Sequence, residues 1–271
     1  MINNPKISVV MPVYKEEPHV LKRAIDSILN QTFRDYEFII VLDYPQNYDA
    51  IKLIEGIAKS DARIKLIIND KNLGVAPTLN IGIKSASGEY IARQDADDES
   101  LPDRFEIQIN FIVSNNDIDV LGTAIDYVDE NSKLIFRRIY HPNPEKYIRQ
   151  YNPLGHPSLM IKKEIFDKFG LYSEDEQFKY VEDYELWMRW YLKGVNFFNL
   201  KESLYRYYQN RANIKSMNTK IQLRNTITLK KNYLKNLDFY FGDYLRLFGE
   251  IILLILPSRL ISYLFYLITR N

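Results

Sequence analysis

Three aspartates, Asp95, Asp97 and Asp98, crowd into four positions at the close of "GEYIARQDADD" (88–98). Carboxylates at that spacing repel one another and raise each other's pKa unless something positive lies among them. The cluster therefore has the chemistry of a cation site, although an acidic turn bathed in water has the same composition. A second acidic pair, Glu182-Asp183, opens "EDYELWMRWYLKG" (182–194). Taken alone, it is the acidic first turn that a helix dipole favours.

Both clusters need elements that can bring them together. "ISVVMPVY" (7–14), "FIIVLD" (38–43), "KLIIND" (65–70) and "YIARQD" (90–95) are short runs rich in β-branched and aromatic residues. The first two are nearly continuous, as strands buried on both faces should be. Helical patterns separate them. Val20, Leu21, Ala24, Ile25, Ile28 and Leu29 form one stripe over 18–30 behind Pro18, and further helices are expected at about 47–60 and 75–86. Such alternation predicts a parallel sheet with right-handed crossovers, and ligands bind such sheets at the carboxyl ends of the strands. Each strand delivers polar residues there: Tyr14 to Glu17, Asp43, Asp70 to Asn72, and Asp95 to Asp98.

The pattern changes after Pro102. A helix is expected over about 103–115, then a strand at "IDVLG", a hairpin around "VDENSKLIF", a short strand entering a helix over 156–170, and a helix over 182–194 stopped by Gly194.

The chain has 271 residues, 46% of them hydrophobic, enough for a sizeable core. Cysteine is absent, which excludes a disulfide framework, thiolate metal sites and a cysteine nucleophile. "MINNPKISVV" lacks the basic start and apolar core of a secretory signal, so the chain reads as cytoplasmic. The net charge of +1 hides an asymmetry: from residue 201 onward there are 12 Lys and Arg against 4 Asp and Glu. A basic, aromatic-rich tail behind an acidic body calls for an anionic partner. No nucleic-acid-binding module accompanies it, and no nucleic-acid partner is expected. The stretch 247–268 is the most apolar, yet Glu250, Pro257 and Arg259 interrupt it, so a clean span is not expected. It reads either as a buried helix pair or, preferably, as an interfacial anchor preceded by Lys230, Lys231, Lys235 and Arg246.

In order and spacing, "ISVVMPVYKEE", Asp43, "NLGVAPTLNIGIKSASGEYIARQDADD" and "VEDYELWMRW" resemble the family-2 glycosyltransferases with a GT-A fold, over about residues 6–210. Bacterial enzymes of surface-polysaccharide synthesis are the nearest in flavour. The resemblance implies an α/β fold with a Rossmann-like nucleotide-binding half, a mixed central sheet flanked by helices, and a helical, membrane-associating tail. The corresponding divisions are a glycosyltransferase domain over 1–212, with a donor half over 1–100 and an acceptor half over 101–212, and a tail over 213–271. It also implies transfer of a sugar, with inversion, from a nucleotide-diphosphate sugar to a hydroxyl of a glycan or lipid-linked glycan. Such an enzyme would lie on the inner face of the cell membrane.

By the family's pattern Asp97 would touch a divalent metal, Mg²⁺ or Mn²⁺, with Asp95 nearer the ribose of the donor or sharing the ion. Hard cations of this kind take carboxylate oxygens together with substrate phosphates. Asp98 would stand behind these ligands or cap the next helix. Pro12, Tyr14 and Glu16 would line the nucleoside pocket, Asp43 would bond the base, and Asn72, Gly74 and Ala96 would complete the donor site, with Lys71 as a further phosphate partner. The family commonly carries two aspartates followed by Gly-Ser where this chain has "VLDYPQN", so only Asp43 corresponds. Asp183 would be the general base, with Glu182 beside it. His156 would contact diphosphate, metal or acceptor, or serve structurally, while Arg93 would neutralise the aspartates or face outward. Trp187 and Trp190 read as core. Two other readings compete: a nucleotide-sugar-binding protein without turnover, which should have lost Asp97 or Asp183, and a nucleotidyltransferase, whose glycine-rich loop "PVYKEE" lacks.

Overall fold

The computed structural model describes residues 4–209, 219–233, 240–257 and 260–261. Strands β1 (Ile7–Val13), β2 (Tyr36–Leu42), β3 (Ile64–Ile68) and β4 (Tyr90–Arg93) lie parallel in the order β3-β2-β1-β4. The crossovers are α1 (Pro18–Leu29), α2 (Tyr48–Ala58) and α3 (Val75–Lys84). β1 and β2 are buried almost throughout, which explains their unbroken apolar runs. Tyr14, Asp43, Asn69 and Asp95 all follow carboxyl ends of these strands, so the four loops open on one side of the sheet.

The second half makes the sheet mixed. After β5 (Glu99–Ser100) and α4 (Arg104–Ser114) come β6 (Val120–Val128), β7 (Leu134–Arg138), β8 (Met160–Lys162), α5 (Lys163–Phe169), α6 (Glu182–Tyr191) and β9 (Phe197–Tyr208). The full order is β3-β2-β1-β4-β8-β6-β9-β5, with β7 paired to β6. β8 runs antiparallel to both β4 and β6, and so joins the two halves into one sheet. Leu21, Ile25, Phe105 and Ile109 cover one face, and Leu79, Ile83, Trp187 and Trp190 pack in the other core.

The described C-terminal helices pack on the rest of the fold. α7 (Thr219–Tyr233) buries Leu229 in the core that holds Trp187 and Trp190, and its Tyr233 hydroxyl donates to Glu185 (2.8 Å). α7 therefore belongs to the acceptor half, because its apolar side has a partner there. α8 (Phe241–Leu253) reaches α7 through Leu247, which clusters with Leu223, Ile227 and Ile261, and through the Lys230–Glu250 ion pair (2.5 Å). Residues 258–259 and 262–268 of the expected anchor lie outside the described residues. Among the described residues no helix is long and apolar enough to cross a membrane.

One buried side chain ties the aspartate loop to both halves. Arg104, fully buried at the start of α4, donates to Ser100 Oγ (2.8 Å), Gln108 Oε1 (2.9 Å) and the carbonyls of Arg93 (2.9 Å) and Leu159 (3.1 Å). Burial, with the charge of Arg93 adding, lowers its pKa to about 10, leaving the guanidinium charged at neutral pH. Replacing it strands several buried acceptors, each costing about 1–3 kcal/mol. We expect Arg104→Met to lose at least about 3 kcal/mol in urea unfolding, and Arg104→Lys to recover little, since an ammonium cannot reproduce the planar fork. A loss below about 1 kcal/mol would contradict this role.

Candidate active site

The aspartate loop leaves β4 and is held from three directions. Asp95 N donates to the hydroxyl of Tyr205 (3.0 Å), and Tyr208 N donates to Asp98 Oδ1 (2.9 Å), both from β9. Arg23 of α1 donates to the carbonyl of Asp97 (2.7 Å) while its guanidinium lies 3.4 Å from the Tyr208 ring centroid. Ala96 is buried between them and serves packing. So fixed, Asp95, Asp97 and Asp98 each offer a carboxylate oxygen within 4.8 Å of the others. They are the group among the described residues that could hold a metal ion.

The electrostatics fit that use. Burial raises the carboxyl of Asp97 to about 6, with Asp95 and Glu16 adding to the effect. Asp98 is pushed well above the ordinary range by burial and by Asp95 and Asp97, and its Oδ2 is buried without a hydrogen-bond partner. Glu16, whose carboxylate accepts from Tyr14 N (2.7 Å), is raised by burial and by Asp95. A hard divalent cation relieves this kind of crowding, and carboxylate oxygens are the donors it takes. Asp98 does not cap α4, whose flanking Asp103 makes no side-chain cap bond either; it braces β9 instead.

Arg93 is the counter-charge that pairs directly with the cluster. Its side chain turns inward, residue exposure being 6%, and it forms an ion pair with Asp95. Burial is the largest single influence and opposes charge, but the Asp95 carboxylate, Tyr205 and Tyr172 together outweigh it and raise the guanidinium pKa.

Around the nucleotide side, the expected residues divide. Tyr14 is exposed and meets Tyr44 edge-on (5.6 Å between centroids), with Lys15 Nζ near both rings. Tyr44 stands where a small-residue turn was the common pattern, so the mouth is aromatic. Pro12 is half-buried within β1, facing Val41 of β2 in register. Asp43 is almost fully buried, and its carboxylate accepts from Asn69 Nδ2, Leu73 N and Gly74 N, each at 2.8 Å. It thus clasps the loop that carries Asn72, which is exposed. Gly74, at φ 91°, opens α3 in a conformation glycine tolerates. Lys71 is exposed.

α6 begins with Glu182 and Asp183 on the wall of a cleft of about 850 Å³. Asp183 accepts from Asn152 Nδ2 and from Tyr184 N, both at 2.7 Å, and burial raises its pKa. Glu182 rises to about 7 through burial and the neighbouring Asp183. His156 also lines this cleft, but it is not part of the aspartate group: its Nε2 lies 2.7 Å from the Tyr172 hydroxyl. Burial, helped by Arg93, holds the imidazole well below its usual pKa and therefore neutral. Trp187 and Trp190 are fully buried. Asn152, Arg23 and Tyr205 escaped the sequence reading, since a lone Asn, a helix Arg and a strand Tyr carry no local pattern.

The sequence profile of glycosyl transferase family 2 matches residues 8–170. An uncharacterized glycosyltransferase of Methanocaldococcus jannaschii, MJ1057, is 34% identical over 97% of this chain and 93% of its own length. The UDP-Gal:alpha-D-GlcNAc-diphosphoundecaprenol beta-1,3-galactosyltransferase of Escherichia coli is 26% identical over 99% of this chain and 98% of its own. Among solved structures, S. aureus TarS 1-349 in complex with UDP-GlcNAc superposes with a TM-score of 0.66 at 19% identity, covering 88% of this chain and 68% of that one, a likeness of fold. With a profile match over residues 8–170 and a relative 34% identical over nearly the whole chain, on a mixed α/β sheet that carries both carboxylate sets, the chain belongs to glycosyl transferase family 2 and is a glycosyltransferase.

Proposed function

We propose that the enzyme moves a sugar from a nucleotide-diphosphate sugar to a hydroxyl of a glycan or lipid-linked glycan, inverting the anomeric carbon, in surface-polysaccharide assembly. The observation that carries this reading is that one buried guanidinium, Arg93, pairs with Asp95 of the Asp95/Asp97/Asp98 cluster and also acts on Glu182 and Asp183 at the start of α6, so that both carboxylate sets lie around it. Asp97 and Asp95 would hold a divalent cation, Mg²⁺ or Mn²⁺, which when bound supplies Lewis-acid stabilisation to the departing diphosphate. Asp183, oriented by Asn152, takes the proton as the acceptor oxygen bonds to the anomeric carbon and the carbon–oxygen bond to the diphosphate breaks. A single displacement of this kind inverts configuration. Arg93 keeps both carboxylate sets from accumulating uncompensated charge.

The acceptor's lipid linkage is supported by the outward side of α8. Phe241 (78% exposed) and Phe248 (62% exposed) stand on it with Tyr244, Leu245 and Ile252 also open to solvent. An exposed aromatic and aliphatic face on a basic C-terminal region suits seating in a headgroup layer. The sequence similarity to a relative named for a GlcNAc-diphosphoundecaprenol acceptor points the same way. We therefore read the enzyme as cytoplasmic and peripheral to the membrane.

Three outcomes are expected. Asp183→Asn should lose transfer by at least about a hundredfold while metal-dependent donor affinity stays within a few-fold, because the residue meets the acceptor; Asp97→Asn should lose metal-dependent donor binding in isothermal titration. Near-normal transfer in the first, or retention of anomeric configuration in the product, would sink the mechanism.

The second concerns pH. Glu182 titrates at about 7 in the folded chain against an ordinary 4.5, so folding favours its protonated form. Its contribution to stability is present below about pH 4.5 and is lost as pH rises toward 7. Glu182→Gln should accordingly raise Tm relative to the parent more at pH 8 than at pH 5, measured without metal or donor. An equal change at both pH values would rule this out.

The third concerns the membrane. Phe241→Ser/Phe248→Ser should lower co-sedimentation with vesicles containing anionic lipid several-fold while leaving donor binding intact. Unchanged sedimentation would remove α8 from that role.

A further inference from the structure

Among the described residues, two that are not glycine have a positive φ: Ser132 (62°) and Tyr180 (66°). Ser132 lies in the tight turn between β6 and β7, where such a conformation is routine. Tyr180 has no such excuse. A bulky side chain in the left-handed region is an outlier, glycine being the residue that adopts it without strain.

Strained backbone of this sort persists when its surroundings over-determine it, and α7 does so here. Asn225 Nδ2 donates to the carbonyl of Lys179 (2.8 Å), and Gln222 Nε2 donates to the carbonyl of Tyr180 (3.3 Å). The Tyr180 amide in turn serves the Glu182 carboxylate. Two successive carbonyls are thus pinned by a helix that arrives forty residues later in the chain. The residue is only partly buried in return. Tyr180 remains 39% exposed and lines the cleft with Glu182, Asp183 and Tyr151.

We propose that Tyr180 is an acceptor-binding residue whose ring is the platform for a sugar ring of the acceptor. A pyranose presents a patch of C–H bonds on one face, which an aromatic face accepts, while its hydroxyls stay free for polar partners at the edge. From that platform a hydroxyl would lie beside the carboxylate pair that begins two residues on. Gln222 and Asn225 are then positioning residues, and α7 completes the acceptor site instead of merely covering it. This rests on the acceptor-side reading of the cleft given above.

The test reads binding without turnover, so that it fails separately from the base assignment. Saturation-transfer NMR on the full chain, with methyl hexopyranosides and methyl 2-acetamidohexopyranosides as probes and sorbitol as a non-ring control, reports which C–H protons meet the protein. In the parent and in Tyr180→Phe, ring-face C–H protons of at least one pyranoside should be saturated and sorbitol should not. In Tyr180→Gly the signal should fall at least about tenfold, while Tm stays at or above the parent's because the left-handed conformation no longer carries a side chain. Asn225→Ala should weaken pyranoside binding in the same direction. Equal binding in Tyr180→Gly, loss in Tyr180→Phe as well, or no pyranoside signal in the parent would each overturn the proposal. A failed Asp183→Asn transfer experiment would leave this result standing, and the reverse also holds.

Discussion

Both carboxylate sets feel one buried positive charge. Arg93 ends the last parallel strand, pairs with Asp95, and lowers the pKa of Asp97, Asp98, Glu182 and Asp183 while helping to keep His156 neutral. It works alongside hydrogen bonds from Tyr208 N to Asp98 and from Tyr184 N and Asn152 to Asp183, which likewise oppose the rise that burial imposes on these carboxyls. A buried ion pair is weak evidence for stability in itself, since desolvation opposes the Coulombic gain. Its effect here is to oppose the rise that burial imposes on the neighbouring carboxyls. Arg104 lies next to Arg93 at a lowered pKa, so the fold tolerates two guanidinium groups in one core to keep that loop in register.

The first hundred residues were legible because their physics is local. Near-continuous apolar runs, a Pro-started amphipathic helix and polar residues at each strand end lead directly to β1 through β4 and to loops opening on one side. The aspartate cluster was readable for the same reason: like charges close in sequence are close in space whatever the fold. β9 was not. Its twelve residues pair parallel to β6 across more than seventy positions, and they include "LKES", which breaks the alternation that would announce a strand. The tyrosines that brace the aspartate loop arrive on that strand, so half of the loop's support was invisible.

The C-terminal region illustrates a different limit. Composition correctly marked it as basic and apolar, but composition does not say which apolar side finds a partner. Leu229 of α7 enters the core, while Phe241 and Phe248 of α8 face outward. Asp43 is similar in kind. The family resemblance associates it with the base, yet its oxygens are occupied by Asn69, Leu73 and Gly74, a set of contacts that only the folded loop reveals.

That clasp has a kinetic meaning. A loop held by three hydrogen bonds from one buried carboxylate has surrendered its conformational entropy during folding. A molecule arriving at the start of α3 does not have to organise the backbone it meets. Association there is governed by diffusion and charge, with residence time set by the contacts made, and the free and occupied enzymes should differ little in the mobility of residues 69–74.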